Sequence, residues 1–186
     1  MQQPRRPVFL LGYMASGKTT LGRKLAQMAG DIEFVDLDDY VEADSSMSIP
    51  EIFRQYGEAE FRRRETAALA ELCARADGSR RLIIACGGGT PCHGRNMELM
   101  LSRGVPVWLQ VSPERIVERL RIERSRRPLV ANLPDDELHA FVVNALEQRQ
   151  PFYSLTPHRF DASQLETDEQ VSQSANRFIS QFLTQS

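Results

Sequence analysis

The chain has 186 residues, 41% of them hydrophobic, enough for a single compact domain with a buried core. Its 23 basic and 25 acidic side chains leave a formal charge of −2, which gives no ground for a nucleic-acid or membrane partner. No apolar run approaches the roughly 20 residues that span a bilayer, and Met1 to Arg6 is followed by no signal-peptide core. The cysteines Cys73, Cys86 and Cys92 have no metal-ligand spacing and cannot all pair. A cytoplasmic, reducing setting with bystander thiols is therefore expected.

In chain order, Pro7-Val8-Phe9-Leu10-Leu11 is a short apolar run suited to a buried strand. Gly12-Tyr13-Met14-Ala15-Ser16-Gly17-Lys18-Thr19 follows, and Leu21, Leu25 and Met28 then repeat at helical spacing. Residues 33–38 read as a strand ending in acid, and Ser48-Ile49-Pro50-Glu51 resembles a capping box opening a helix. Arg81 to Cys86 is the next strand, stopped by Gly87-Gly88-Gly89. Met97 to Leu101 is helical, and Val105 to Val111 is strand, with Pro106 tolerable near its start. Helices at 113–122 and 135–148 flank an Arg- and Pro-containing connection. His158 to Asp161 forms a last short strand before a helix from about Asp168. This alternation predicts an α/β fold: a doubly wound sheet of about five parallel strands, spanning residues 1–186 as one domain.

The segment at 12–19 matches the phosphate loop G-x-x-x-x-G-K-[ST] at every specified position. Its glycines let backbone N–H groups turn inward around phosphates, and the following helix adds its positive end. Lys18 would reach the β- and γ-phosphates while the Thr19 hydroxyl holds Mg²⁺. Gly12, Ala15, Ser16, Gly17, Lys18, Thr19 and Thr20 are the candidate ATP contacts of this segment.

Asp36 and Asp38, two apart, share a face if the strand stays regular, placing both acids beside the phosphate loop. There a carboxylate could hold a Mg²⁺ water or accept a hydroxyl proton, whereas Asp39 is expected to cap the next helix. Arg62, Arg63 and Arg64 are consecutive, so at most one or two can enter a site, and charge alone favours a solvated face. The three glycines at 87–89 imply torsions that glycine alone tolerates, a ligand lying against the backbone, or a plain tight turn. Six arginines between Arg115 and Arg127 suit a mobile lid, or an exposed helix paired with Glu114, Glu118 and Glu123.

The set GYMASGKTT, FVDLDD, GEAEFRRRE, CGGGTP, RRPL and EQRQPFY, in this order, resembles the shikimate kinase family from about Pro7 to Phe182. The resemblance implies transfer of phosphate from MgATP to the 3-hydroxyl of shikimate; a single small kinase domain without an obvious apolar stripe is expected to be a monomer. The resemblance also implies a lid at about 112–135 and a substrate-binding helical part at about 38–65. It assigns Asp38 to the shikimate hydroxyls and Asp36, with Thr19, to Mg²⁺, leaving open which carboxylate takes the proton. Arg62 and Arg149 would grip the substrate carboxylate, Gly87, Gly88 and Gly89 would present N–H groups, Arg127 would reach the phosphates, and Arg119 would pack on adenine. Ala15 departs from the family pattern, which has glycine there; if φ must be positive, alanine costs roughly 1 kcal/mol.

Rival readings are a kinase of another small hydroxy acid such as gluconate, a nucleotide-dependent switch, and a catalytically silent nucleotide-binding relative. A guanine-reading N-K-x-D is absent from the sequence. The retained Lys18, Asp36, Asp38 and Arg127 argue against silence.

Overall fold

The computed structural model describes residues 5–75, 80–123 and 128–184. Among these, five parallel strands form one sheet in the order β2-β3-β1-β4-β5. The strands are β1 (Val8–Leu11), β2 (Ile32–Asp36), β3 (Arg81–Ala85), β4 (Val105–Gln110) and β5 (Arg159–Asp161). Side-chain alternation explains why β1 and β3 are apolar throughout. Phe9, Leu11, Leu82 and Ile84 enter a core on one face, whereas Val8, Leu10 and Ile83 enter a second core on the other.

Helices cover both faces. On one lie α1 (Lys18–Met28) and α8 (Asp168–Phe178), which bring Leu21, Leu25, Val171 and Phe178 to the second core. On the other, α2 (Leu37–Ser45), α3 (Ile49–Arg75) and α4 (Asn96–Arg103) contribute Val41, Ile52, Leu69, Leu72 and Met100. The proposed capping box is present: Ser48 N donates to Glu51 Oε2 at 2.8 Å, and Glu51 N to Ser48 Oγ at 3.4 Å. Within α3 the chain breaks at Gly57, whose φ of 79° and ψ of 176° are not helical. Residues 58–75 thus form a separate helical run that begins just before Arg62.

A third, smaller core lies beyond the carboxyl ends of the strands. There α5 (Pro113–Glu123) and α7 (Asp135–Tyr153) pack Ile116, Val117, Leu120, Leu138 and Val142 around Tyr13. The short α6 (Pro128–Ala131) adds Val130. Arg127, expected to act from the lid, lies outside the described residues, as do Arg124 and Arg126. No helix among the described residues is long and apolar enough to cross a membrane.

Candidate active site

The central strand β1 has β3 on one side and β4 on the other, so the chain reverses its direction of winding there. Ligands of such sheets sit at the carboxyl ends beside this reversal. The loop leaving β1 is the G-x-x-x-x-G-K-T segment, and it borders a cavity of about 390 Å³. Ala15, Gly17, Lys18, Thr19 and Thr20 line that cavity together with Asp36, Asp38, Gly87, Gly88 and Arg119. Residues 12, 15 and 17 adopt positive φ of 148°, 59° and 91°. Ala15 therefore does occupy the left-handed region, where an L side chain is strained. Lys18 Nζ arches back over the loop, donating to the carbonyls of Gly12 and Tyr13 at 2.9 Å each.

Arg119, on α5, is tied to this loop. It donates to the carbonyls of Ala15 (3.1 Å), Ala162 (2.9 Å) and Ser163 (3.2 Å), and pairs with Glu166 at 2.8 Å. Its side chain is only 12% exposed, so it is not part of a solvated basic face. Arg115 does fit that description, pairing with Glu118, whereas Arg121 lies beside Asp135 and Glu114 beside His139.

The acidic pair departs from the expectation of two carboxylates on one strand face. The strand ends at Asp36, and Asp38 sits in the first turn of α2. Asp36, rather than Asp39, is the residue that caps this helix: its Oδ1 accepts from Asp38 N at 3.2 Å. Its other oxygen accepts from Thr19 Oγ1 at 2.8 Å, joining the acid to the phosphate loop. Helix capping overrides strand continuation here because a short acidic side chain at this point satisfies an otherwise orphaned N–H. Asp38 is half-buried, and its carboxyl pKa rises to about 6. Burial is the main cause, followed by the neighbouring Asp36 and Glu65, with Lys18 opposing.

The glycine triad resolves the alternatives left open above. Gly87, Gly88 and Gly89 are not among the residues with positive φ, so special torsions do not explain them. Space does. A β-carbon on Gly88 would lie 2.7 Å from Arg149 Nη1, and one on Gly89 would lie 2.9 Å from Arg62 Nη2. One on Gly87 would crowd Asp38, Glu65 and Thr90 at 3.0–3.1 Å. Two guanidinium groups from different helices thus converge on adjacent residues of one turn. Of the three consecutive arginines, only Arg62 is used in this way; Arg63 and Arg64 both pair with Glu60, Arg63 exposed and Arg64 half-buried. Arg149 also lies over the Tyr13 ring, 4.9 Å from its centroid.

Some supporting residues carried no role in the sequence reading. Glu65 is fully buried, accepting from Arg62 Nη1 at 2.9 Å and, in a very short bond, from the Thr90 hydroxyl. The three-residue spacing from Arg62 could have signalled it, since that spacing brings side chains together on a helix. Thr90 opens a 3₁₀ turn, Thr90–Cys92, whose first carbonyl accepts from buried Asn96. Tyr153, at the end of α7, donates from its hydroxyl to Gly88 O at 2.6 Å. Cys73, Cys86 and Cys92 are free, and burial pushes each thiol pKa up.

The chain is similar to known proteins of one family. The family model described as shikimate kinase matches residues 14–181. A curated shikimate kinase from Parabacteroides distasonis is 40% identical over 172 residues, covering 92% of this chain and 96% of that one. The crystal structure of a shikimate kinase from Bacteroides thetaiotaomicron superposes with a TM-score of 0.87 at 39% identity, covering 94% and 97% of the two chains. A shikimate kinase from Acinetobacter baumannii, solved in complex with shikimate, gives a TM-score of 0.78 at 30% identity, covering 94% and 91%. With the profile matching nearly the whole domain and relatives at this identity and coverage, the chain belongs to the shikimate kinase family.

Proposed function

We propose that this protein transfers the γ-phosphoryl group of ATP to the 3-hydroxyl of shikimate, releasing ADP and shikimate 3-phosphate. The observation that carries the proposal is the convergence of Arg62 and Arg149 on the glycine turn, which lies against the phosphate loop and lends Gly87 and Gly88 to the cavity wall. A pair of guanidiniums at one turn suits a small carboxylate, which they can hold by charge-assisted hydrogen bonds. Asp38 abuts the same turn at Gly87, so an acid gripped there presents its hydroxyls to a carboxylate.

The two acids divide the work. Asp36 already accepts from Thr19 and caps α2, which leaves Asp38 to bind the acceptor hydroxyl. As the new O–P bond forms, the proton of the hydroxyl passes to Asp38, and the bond between the γ-phosphorus and the bridging oxygen breaks. Lys18 and the loop N–H groups meet the charge on the phosphate oxygens, while the arginine clamp fixes the in-line approach. Thr19 Oγ1 and Asp36 would hold Mg²⁺; a hydroxyl and a carboxylate 2.8 Å apart on the cavity wall fit a hard cation that takes its other ligands from phosphate and water. A Mg²⁺ ion held there would help neutralise the charge of the ATP phosphates. Arg119 spends the edge of its guanidinium on carbonyls and Glu166, so the plane stays available to stack on adenine.

The free thiols suit a reducing compartment, and the proposal extends to a monomeric cytoplasmic enzyme, checked for oligomeric state by sizing chromatography. ADP release with MgATP tests the reaction, measured with shikimate, with gluconate and with neither. Release that depends on shikimate is expected. Turnover driven by gluconate, or indifferent to either acid, would overturn the assignment.

A further inference from the structure

We infer that Tyr153 is a positioning residue of the acceptor site: its hydroxyl anchors the Gly88 carbonyl and so aims the N–H of Gly89 outward as an anion donor. The inference rests on the acceptor site proposed above. Tyr153 is completely buried in the core shared by α2, α3 and α4, with its ring 5.7 Å from that of Trp108. Burial raises its pKa, so the phenol stays protonated and remains a donor. Its 2.6 Å bond to Gly88 O draws that carbonyl toward the core. A trans peptide is planar, so its N–H points opposite to its C=O. Fixing the Gly88 carbonyl on a buried hydroxyl therefore turns the Gly89 N–H away from the core.

The hydrogen bonding of the turn agrees with that role. Thr90 N donates to Gly87 O and Cys92 N to Gly89 O, yet the N–H groups of Gly88 and Gly89 have no acceptor among the described residues. The turn thus offers two unspent backbone donors beside two guanidiniums, the makings of a receptor for a carboxylate. Both anchors come from one helix end: Arg149 meets Gly88 with its guanidinium, and Tyr153, four residues later, meets it with its hydroxyl. Four residues is the spacing that places side chains on one helix face. Glycine turns are soft, and a peptide plane without an anchor is free to flip. The hydroxyl removes that freedom.

The test is Tyr153→Phe, which keeps the ring against Trp108 and removes the hydroxyl, with its bond to Gly88 O and its contact with Arg149. In the substrate-free protein, the backbone amide resonance of Gly89 is expected to move, while amides of β1 and α1 stay in place. In steady-state kinetics the KM for shikimate is expected to rise about tenfold, the worth of one well-placed hydrogen bond. The KM for MgATP should be unchanged. A Gly89 amide that does not move would overturn the inference, as would a lower kcat with an unaltered KM for shikimate, the mark of a purely structural loss. Should the native protein ignore shikimate, the proposed reaction falls, but the Gly89 amide still decides whether Tyr153 sets that peptide.

Discussion

The two parts of the candidate site, the phosphate end and the acceptor end, are built on different plans. The phosphate end is one continuous stretch, Val8 to Met28, in which a strand, a loop and a helix follow one another without interruption. The acceptor end is gathered from four separate segments: Asp38 from α2, Arg62 and Glu65 from α3, the glycine turn after β3, and Arg149 with Tyr153 from α7. A loop binds phosphates mainly through its own backbone, so its local sequence is nearly sufficient. Gripping a carboxylate and aiming one hydroxyl needs side chains that approach from several directions, which only tertiary packing can provide. Local damage at the first end should therefore abolish chemistry, and damage at the second should chiefly weaken binding, except at Asp38, which the proposed reaction uses as its base.

Replacing Lys18 by alanine is the sharpest way to break this comparison. Turnover should fall by roughly 10³-fold or more, with little change in the KM for shikimate, because the lost charge acts on the transferring phosphoryl group. A comparable loss in shikimate affinity would mean that the two ends are not separable. The Asp38→Asn change comes next: kcat should fall by at least about 10²-fold, the scale of a lost general base. The same change should raise the melting temperature of the ligand-free protein. The folded pKa of Asp38, about 6, lies above its ordinary value, so the native state favours the neutral acid. Ionisation costs stability as pH rises from about 4 through 6, and at pH 7 removing the charge should recover about 1–2 kcal/mol. In the native enzyme, activity should fall as pH drops through about 6 and Asp38 takes up a proton.

Arg62→Ala addresses the acceptor end directly. The KM for shikimate should rise about 10- to 100-fold, the range of a lost charge-assisted hydrogen bond, with kcat affected less. Thermal stability should also fall, because Glu65 is fully buried and loses its cationic partner. Ala15→Gly should have the smallest effect. Glycine relieves the positive φ at this position but adds freedom to the unfolded chain, so stability should change by less than about 1 kcal/mol. ADP affinity, measured by calorimetry, should move little, because Arg119 already holds the Ala15 carbonyl. A large gain in affinity would show that the loop is strained into its shape.

The sequence by itself determined the scaffold and the phosphate end. Apolar runs of four to six residues between helical stretches leave few arrangements other than a parallel sheet with crossing helices, and all five expected strands are present. The loop glycines and Lys18 act within a few residues of one another, so no distant contact was needed to identify them. Tertiary structure decided the rest. Asp36 and Asp38 look equivalent along the chain, but the strand-to-helix junction makes one a cap bonded to Thr19 and leaves the other half-buried with a raised pKa. Arg62, Arg63 and Arg64 are identical in type, and only the direction in which α3 leaves Gly57 selects the one that reaches the turn. The glycines at 87–89 lie where side chains from α2, α3 and α7 crowd the positions their β-carbons would take. Side chains that meet across gaps of tens of residues owe their contact to packing, and local spacing carries no record of it.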